Sequence, residues 1–226
     1  MSRPKRAVAQ QPKNYTEQDV GDTPLVSTIR WPLKLPGILK ISNACFANEA
    51  INVRRAAKDG LVVVVTEGEH ERAKNGLYGG ANVAYFPFRD EINEPEATVR
   101  RQIRGAVGAV RAHWKRKPGT TVLVHCSAGQ NRSAAVVLAV LRAYGLNKGV
   151  ATYLVRKTQT TKGDQDEWGE RTGAGDAWER GGWEKFQGEN GKRLLESVLD
   201  MAFAPDTPLH KQHNVIGAPH WARFRA

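Results

Sequence analysis

The sequence predicts an α/β fold, a central and mostly parallel sheet flanked by helices. Three observations carry this. Residues 61–66 and 121–124 are short, continuous, β-branched runs, the pattern of strands buried on both faces. Between them lies a segment of helical period, with Val99, Ile103, Val107, Val110 and Trp114 on one face. Gly60, Pro95 and Gly145 punctuate the pattern where elements should stop or start. Strands alternating with helices form a layered sheet rather than a bundle or a sandwich.

Taken in order, residues 1–30 are polar, with scattered Pro, Gln and Lys, and are expected to be a flexible tail. Residues 35–42 should form the first strand. Residues 47–58 have helical spacing in Ala50, Ile51, Val53, Arg54 and Ala57, and stop before Gly60, a C-cap signal. The buried strand 61–66 follows, then a strand at 83–88. Pro95 belongs in the first turn of a long helix reaching about residue 116. After the strand 121–124, residues 134–141 are apolar throughout and predict a buried helix over 133–144, closed by Gly145. Asn147 can cap a further helix through about residue 156.

Residues 163–191 differ in kind. They hold eight glycines and three of the six tryptophans (Trp168, Trp178 and Trp183) without helical or strand period. Tryptophans are costly to leave in water, so this Gly/Trp-rich insert is expected to order partly against the body, as a lid or substrate platform. A last short helix follows over 192–201, with Leu194, Leu195, Val198 and Leu199 apolar. The domain organisation is therefore a tail at 1–30, a catalytic domain at 31–201 containing the insert, and a C-terminal tail at 202–226.

A chain of 226 residues with 40% hydrophobic content can bury one core, with extensions. It contains no apolar run of 18 residues, so no membrane span is expected, and its N-terminus lacks the apolar stretch of a signal peptide. Two cysteines, Cys45 and Cys126, argue against a disulfide scaffold and suit a reducing, cytoplasmic setting. Cys45 reads as a core residue; a protective disulfide with oxidised Cys126 is the alternative. The formal net charge is +11, unevenly spread. Residues 31–162 carry 21 Lys and Arg against 9 Asp and Glu, whereas residues 163–191 carry 3 against 8. Such a basic body attracts phosphate esters in general, and nucleic acid is a further possible partner.

The chemistry is concentrated in His125-Cys126-Ser127-Ala128-Gly129-Gln130-Asn131-Arg132-Ser133, between the strand ending near Val124 and the buried helix. A turn of small residues points backbone N–H groups inward, and a helix N-terminus adds positive potential. Arg132 can fork two oxygens of an anion. The same field favours a thiolate at Cys126, the nucleophilic form of the side chain. Together these imply nucleophilic attack on a phosphoryl group.

This run resembles the active-site loop of the cysteine-dependent protein phosphatases, most of all the dual-specificity branch, whose loop reads His-Cys-x5-Arg-Ser/Thr. The element order resembles that fold over about residues 31–158. The resemblance implies that Cys126 becomes phosphocysteine, that residues 127–132 bind the phosphoryl oxygens, and that Ser133 hydrogen-bonds the sulfur and helps it leave. It implies that His125 orients the loop. Asn131 departs from the pattern, because dual-specificity members mostly have Ser there; Asn is commoner in the RNA 5′-triphosphatase relatives.

Expelling an alcohol or phenol oxygen requires a proton. Asp90, just past a strand end and 36 residues before Cys126, stands where members of that family place their general acid. Glu91 and Glu94 are the fallbacks. No cofactor is implied, and the six histidines show no spacing that reads as a metal site.

The leading expectation is a phosphatase acting on phosphotyrosine, with phosphoserine and phosphothreonine as further substrates, in a phosphorylated protein partner. An RNA 5′-triphosphatase is the alternative; Asn131 and the basic body favour it and Asp90 counts against it. A phosphoinositide phosphatase is disfavoured because residues 127–131 contain no lysine. A non-catalytic phosphate-binding module is the reading from another class, and it would require a missing Cys or Arg.

Overall fold

Six strands form one sheet: β1 (Leu25–Ile29), β2 (Ile38–Ser42), β3 (Leu61–Val64), β4 (Asn82–Tyr85), β5 (Thr121–His125) and β6 (Gln159–Lys162). They are seen in a computed structural model that describes residues 25–29, 35–67, 78–156, 159–162 and 185–203. The strand order is β4-β3-β5-β2-β1-β6. The first three pairings along that order are parallel, and β1 pairs antiparallel with both β2 and β6.

The helices are α1 (Ala44–Ala47), α2 (Ala50–Ala57), α3 (Glu96–Arg116), α4 (Arg132–Ala143), α5 (Lys148–Arg156) and α6 (Gly188–Asp200). The central strands bury both faces, and their side chains alternate between two cores. Leu61, Val63, Val122 and Val124 face one core with residues of α3, α4, α5 and α6. Val62, Val64 and Leu123 face the other with Phe46, Val53 and Ala57 of α1 and α2. The mostly parallel sheet with flanking helices is as the sequence predicts.

The long amphipathic helix is α3, and it buries Val99, Ile103, Val107, Val110 and Trp114. The Trp114 indole donates to the Thr120 carbonyl at 3.0 Å and meets Tyr144 edge-on, 5.5 Å between centroids. The first helical turn follows Pro95, which stands just outside it. Helix α4 is enclosed on nearly every side, as the apolar run 134–141 requires, and packs on α3, α5, α6 and the sheet.

Several elements differ from expectation. The strand expected over 35–42 begins only at Ile38, and those expected over 61–66 and 83–88 end at Val64 and Tyr85. The helix expected over 47–58 spans Ala50–Ala57, and a separate short helix, α1, precedes it. The Asn43 side chain caps α1 by accepting from the Phe46 N–H at 3.0 Å, and Glu49, in extended conformation, interrupts the path before α2. Residues 25–29, within the stretch read as a tail, form β1, and β6 was not foreseen either. Helix α6 begins at Gly188 rather than at residue 192, inside the stretch read as aperiodic. Residues 1–24, 163–184 and 204–226 lie outside the described residues. The expectations for Trp168, Trp178 and Trp183, for a lid and for most of both tails fall there. Among the described residues, no helix is long and apolar enough to cross a membrane.

Gly60 matters for a different reason than a left-handed cap. A Cβ there would lie 2.0 Å from the Thr121 carbonyl oxygen, so the absence of a side chain lets the α2–β3 turn approach β5. Gly60→Ala should therefore destabilise the fold by about 1–3 kcal/mol through overpacking. Thermal denaturation checks this, and an unchanged Tm would mean that the backbone moves aside without cost.

Candidate active site

The central strand β5 ends at His125, and α4 begins at Arg132. The six-residue transition thus lies at the carboxyl end of the parallel strands, where open α/β sheets place their ligands. Neighbouring backbone holds the loop. The Val65 N–H donates to the His125 carbonyl at 3.1 Å, and the Ala44 N–H donates to the Ser127 carbonyl at 2.8 Å. Gly129 has φ of +71°, a conformation that favours glycine and that closes the loop around the sulfur.

Cys126 is 1% exposed. Its sulfur accepts from the Gly129 N–H at 3.2 Å and lies 3.3 Å from Ser133 Oγ. His125 is buried, its Nε2 3.0 Å from the Tyr78 hydroxyl. Cys45, on α1, is not joined to Cys126 by a disulfide.

The Arg132 guanidinium is fixed at several points. Nη1 donates to the Phe88 carbonyl at 3.2 Å and Nη2 to Ser127 Oγ at 2.9 Å. Its Nε is buried without a hydrogen-bond partner and lies 3.7 Å from Asp90 Oδ2. The loop after β4 thereby meets the loop after β5. Asp90 Oδ1 is approached by the Asn131 amide at 3.5 Å and accepts a hydrogen bond from Asn190. The structure thus brings Cys126, Ser133, Arg132, Asn131 and Asp90 together. It leaves the fallback acids aside: the Glu91 carboxylate lies 4.0 Å from Arg89, and the main-chain carbonyls of Glu91 and Glu94 accept from Arg193 at 2.7 and 2.9 Å.

Sequence reasoning expected the insert 163–191 to order partly against the body but singled out none of the residues of the segment from Lys185 to Arg193, which covers both loops. The Phe186 N–H donates to the Gln130 carbonyl at 3.2 Å, and the Gln187 N–H donates to Asn131 Oδ1 at 2.9 Å. Phe186 is buried and has φ of +63°, a strained conformation for a bulky residue, maintained by that docking. Lys185 is 1% exposed. Burial pushes its ammonium well below the usual lysine range, and the charge of Cys126 opposes that shift. Only Asn190 and Arg193, three apart on one helix face, left any local trace. Tyr78, which holds His125, left none.

Among the described residues, no three His, Cys, Asp or Glu gather as a metal site would require.

No family model matches the sequence, and no curated protein matches it. Among solved structures, the chain is similar to Tk-PTP in its active form, at TM-score 0.47 and 22% identity over 76% of this chain and 100% of that one. It is similar to human DUSP28 at TM-score 0.45 and 21% identity, over 76% of this chain and 97% of that one. It is similar to PTPMT1 in complex with PI(5)P at TM-score 0.45 and 14% identity, with the same shares covered.

Proposed function

We propose that this chain is a phosphoprotein phosphatase that hydrolyses phosphotyrosine through a phosphocysteine intermediate. The observation that carries the reading is the pairing of Cys126 with Arg132. A buried sulfur accepts from a loop amide, beside a buried guanidinium whose Nε makes no hydrogen bond. An unsatisfied buried donor costs about 1–3 kcal/mol, and a phosphoryl oxygen would satisfy it.

In the first step, Cys126 Sγ attacks phosphorus in line with the ester oxygen. The P–S bond forms as the P–O bond breaks, and the proton of Asp90 passes to the departing phenol oxygen. Loop N–H groups and Arg132 hold the equatorial oxygens, where charge must be stabilised without reorganisation. In the second step, the Asp90 carboxylate takes a proton from water as that water attacks phosphorus. The P–S bond breaks, Ser133 donates its hydroxyl hydrogen bond to the leaving sulfur, and inorganic phosphate departs. Serine and threonine esters follow the same path with a poorer leaving group.

The RNA 5′-triphosphatase reading drew on Asn131. Its amide is engaged by the Gln187 N–H and faces Asp90, which accounts for an asparagine there without an RNA substrate. A side-by-side assay on phosphotyrosine peptide, phosphothreonine peptide and triphosphate-ended RNA tests the proposal. Turnover of the phosphotyrosine peptide supports it; turnover of the RNA alone replaces it with the triphosphatase.

Asp90→Asn should lower kcat on phenyl phosphate by roughly 10²–10⁴, the usual share of a general acid. The loss should shrink for a strongly acidic phenol, which leaves without a proton. An equal loss across leaving groups would remove Asp90 from this role.

A further inference from the structure

We infer that Asn131 is a positioning residue for the general acid, linking the start of α6 to Asp90 across the mouth of the phosphate loop. This deepens the proposed function and rests on the reading of Asp90 as the acid.

Asn131 occupies the N-cap position of α4, where an asparagine side chain ordinarily accepts from the helix's own first N–H groups. Here it makes no such cap. Its Oδ1 instead accepts from the Gln187 N–H at 2.9 Å, and its Nδ2 faces Asp90 Oδ1 at 3.5 Å. Both partners set the same orientation of the amide. Turning it over would put Nδ2 against the Gln187 N–H, donor on donor, and Oδ1 against a carboxylate, acceptor on acceptor. An asparagine therefore suits both ends, whereas a serine hydroxyl is too short to reach them together.

The rest of the segment is arranged around this link. Asn190, one turn along, also donates to Asp90 Oδ1, and its own amide oxygen accepts from Arg193 Nε at 3.0 Å. Arg193 carries its remaining nitrogens to the Glu91 and Glu94 carbonyls, so the whole acid loop from 90 to 94 is tied to α6. Gly191 permits the approach: a Cβ there would stand 2.7 Å from Asn131 Oδ1 and 2.4 Å from the Phe186 carbonyl carbon. The strained φ of Phe186 fits the same account, since that residue docks the segment on Gln130. Two amide donors from different elements thus fix a carboxylate that its own loop leaves half-exposed. A reacting carboxyl must be held within a fraction of an ångström of its path.

The test uses Asn131→Ser, whose residue type is favoured at an N-cap and which removes no existing cap, so the variant should fold. Its kcat on phenyl phosphate should fall roughly 10- to 100-fold, the range expected for a displaced acid. Its loss on an ester of a strongly acidic phenol should be no more than about threefold, and vanadate affinity should stay within about threefold, because the anion cradle is intact. In the Asp90→Asn background, Asn131→Ser should cost nothing further, since coupled residues are non-additive. Asn190→Ala should show the same leaving-group dependence more weakly. An equal loss on both esters, weakened vanadate binding, or full additivity with Asp90→Asn would place Asn131 in the phosphate cradle and overturn the inference. Should Asp90→Asn itself show no dependence on leaving group, the acid assignment falls and this inference falls with it. A selective Asp90→Asn beside an indifferent Asn131→Ser sinks the inference alone.

Discussion

Cys126→Ser should bind phosphate esters and fail to turn them over. The cradle does not depend on the sulfur: the Gly129 N–H, the loop backbone and the Arg132 guanidinium, anchored to Phe88 and Ser127, all remain. What is lost is the proposed nucleophile. A serine hydroxyl holds its proton far more tightly than a thiol, and the His125 imidazole beside it is engaged by the Tyr78 hydroxyl. We therefore expect kcat to drop by about 10³ or more, while phosphotyrosine-peptide affinity stays within a few-fold. Single-turnover kinetics with a labelled phosphopeptide provide the measurement. Acid quench should trap a phosphorylated wild-type protein and none from the variant. Retention of more than about a thousandth of wild-type kcat would end the case for covalent catalysis at Cys126.

Where a local pattern determines a structure, the sequence was informative. Helix α3 is legible because five apolar side chains recur on one face. The strand–loop–helix at 121–143 is legible because a β-branched run, a turn of small residues and an enclosed apolar helix follow directly on one another. Cys126, Arg132 and Ser133 are close together because they share that turn. Asp90 was reachable only through the position of an acidic residue past a strand end, since it and Cys126 come together across the sheet.

The losses are equally physical. Strands β1 and β6 stand together at one end of the sheet and pair antiparallel, where pairing partners rather than hydrophobic pattern decide the conformation. Gly60 carries a cap signal and serves a close approach instead, a distinction visible only once Thr121 is beside it. The segment around Lys185, Gln187 and Asn190 hid most completely. Its glycines obscured the helix that begins at Gly188, and its partners Asn131 and Asp90 are 56 and 100 residues away in the chain. Asn131 was conspicuous in the sequence as a departure from a pattern, and only its neighbours reveal what the departure accommodates.

Arg132→Lys should be nearly as damaging as loss of the nucleophile, although the formal charge is unchanged. The guanidinium does three things at once: it donates to the Phe88 carbonyl, donates to Ser127 Oγ, and presents Nε within 3.7 Å of Asp90 Oδ2. Its plane fixes the directions in which phosphoryl oxygens can be held. A lysine ammonium is a point charge on a flexible stem, so it must either keep the Phe88 and Ser127 contacts or reach the anion. Loss of a preorganised donor to a transition-state oxyanion costs about 10²–10³ in kcat, and losing a two-pronged contact belongs at or above the upper end. Vanadate affinity should weaken alongside, because vanadate takes the trigonal-bipyramidal shape of the transition state. Stability should fall by only about 1 kcal/mol through the Phe88 hydrogen bond, separating the catalytic effect from unfolding. Parallel measurement of kcat, KM, vanadate inhibition and Tm checks all of this. A lysine variant with near-normal kcat and KM would show that Arg132 braces the two loops and does not bind the phosphoryl group.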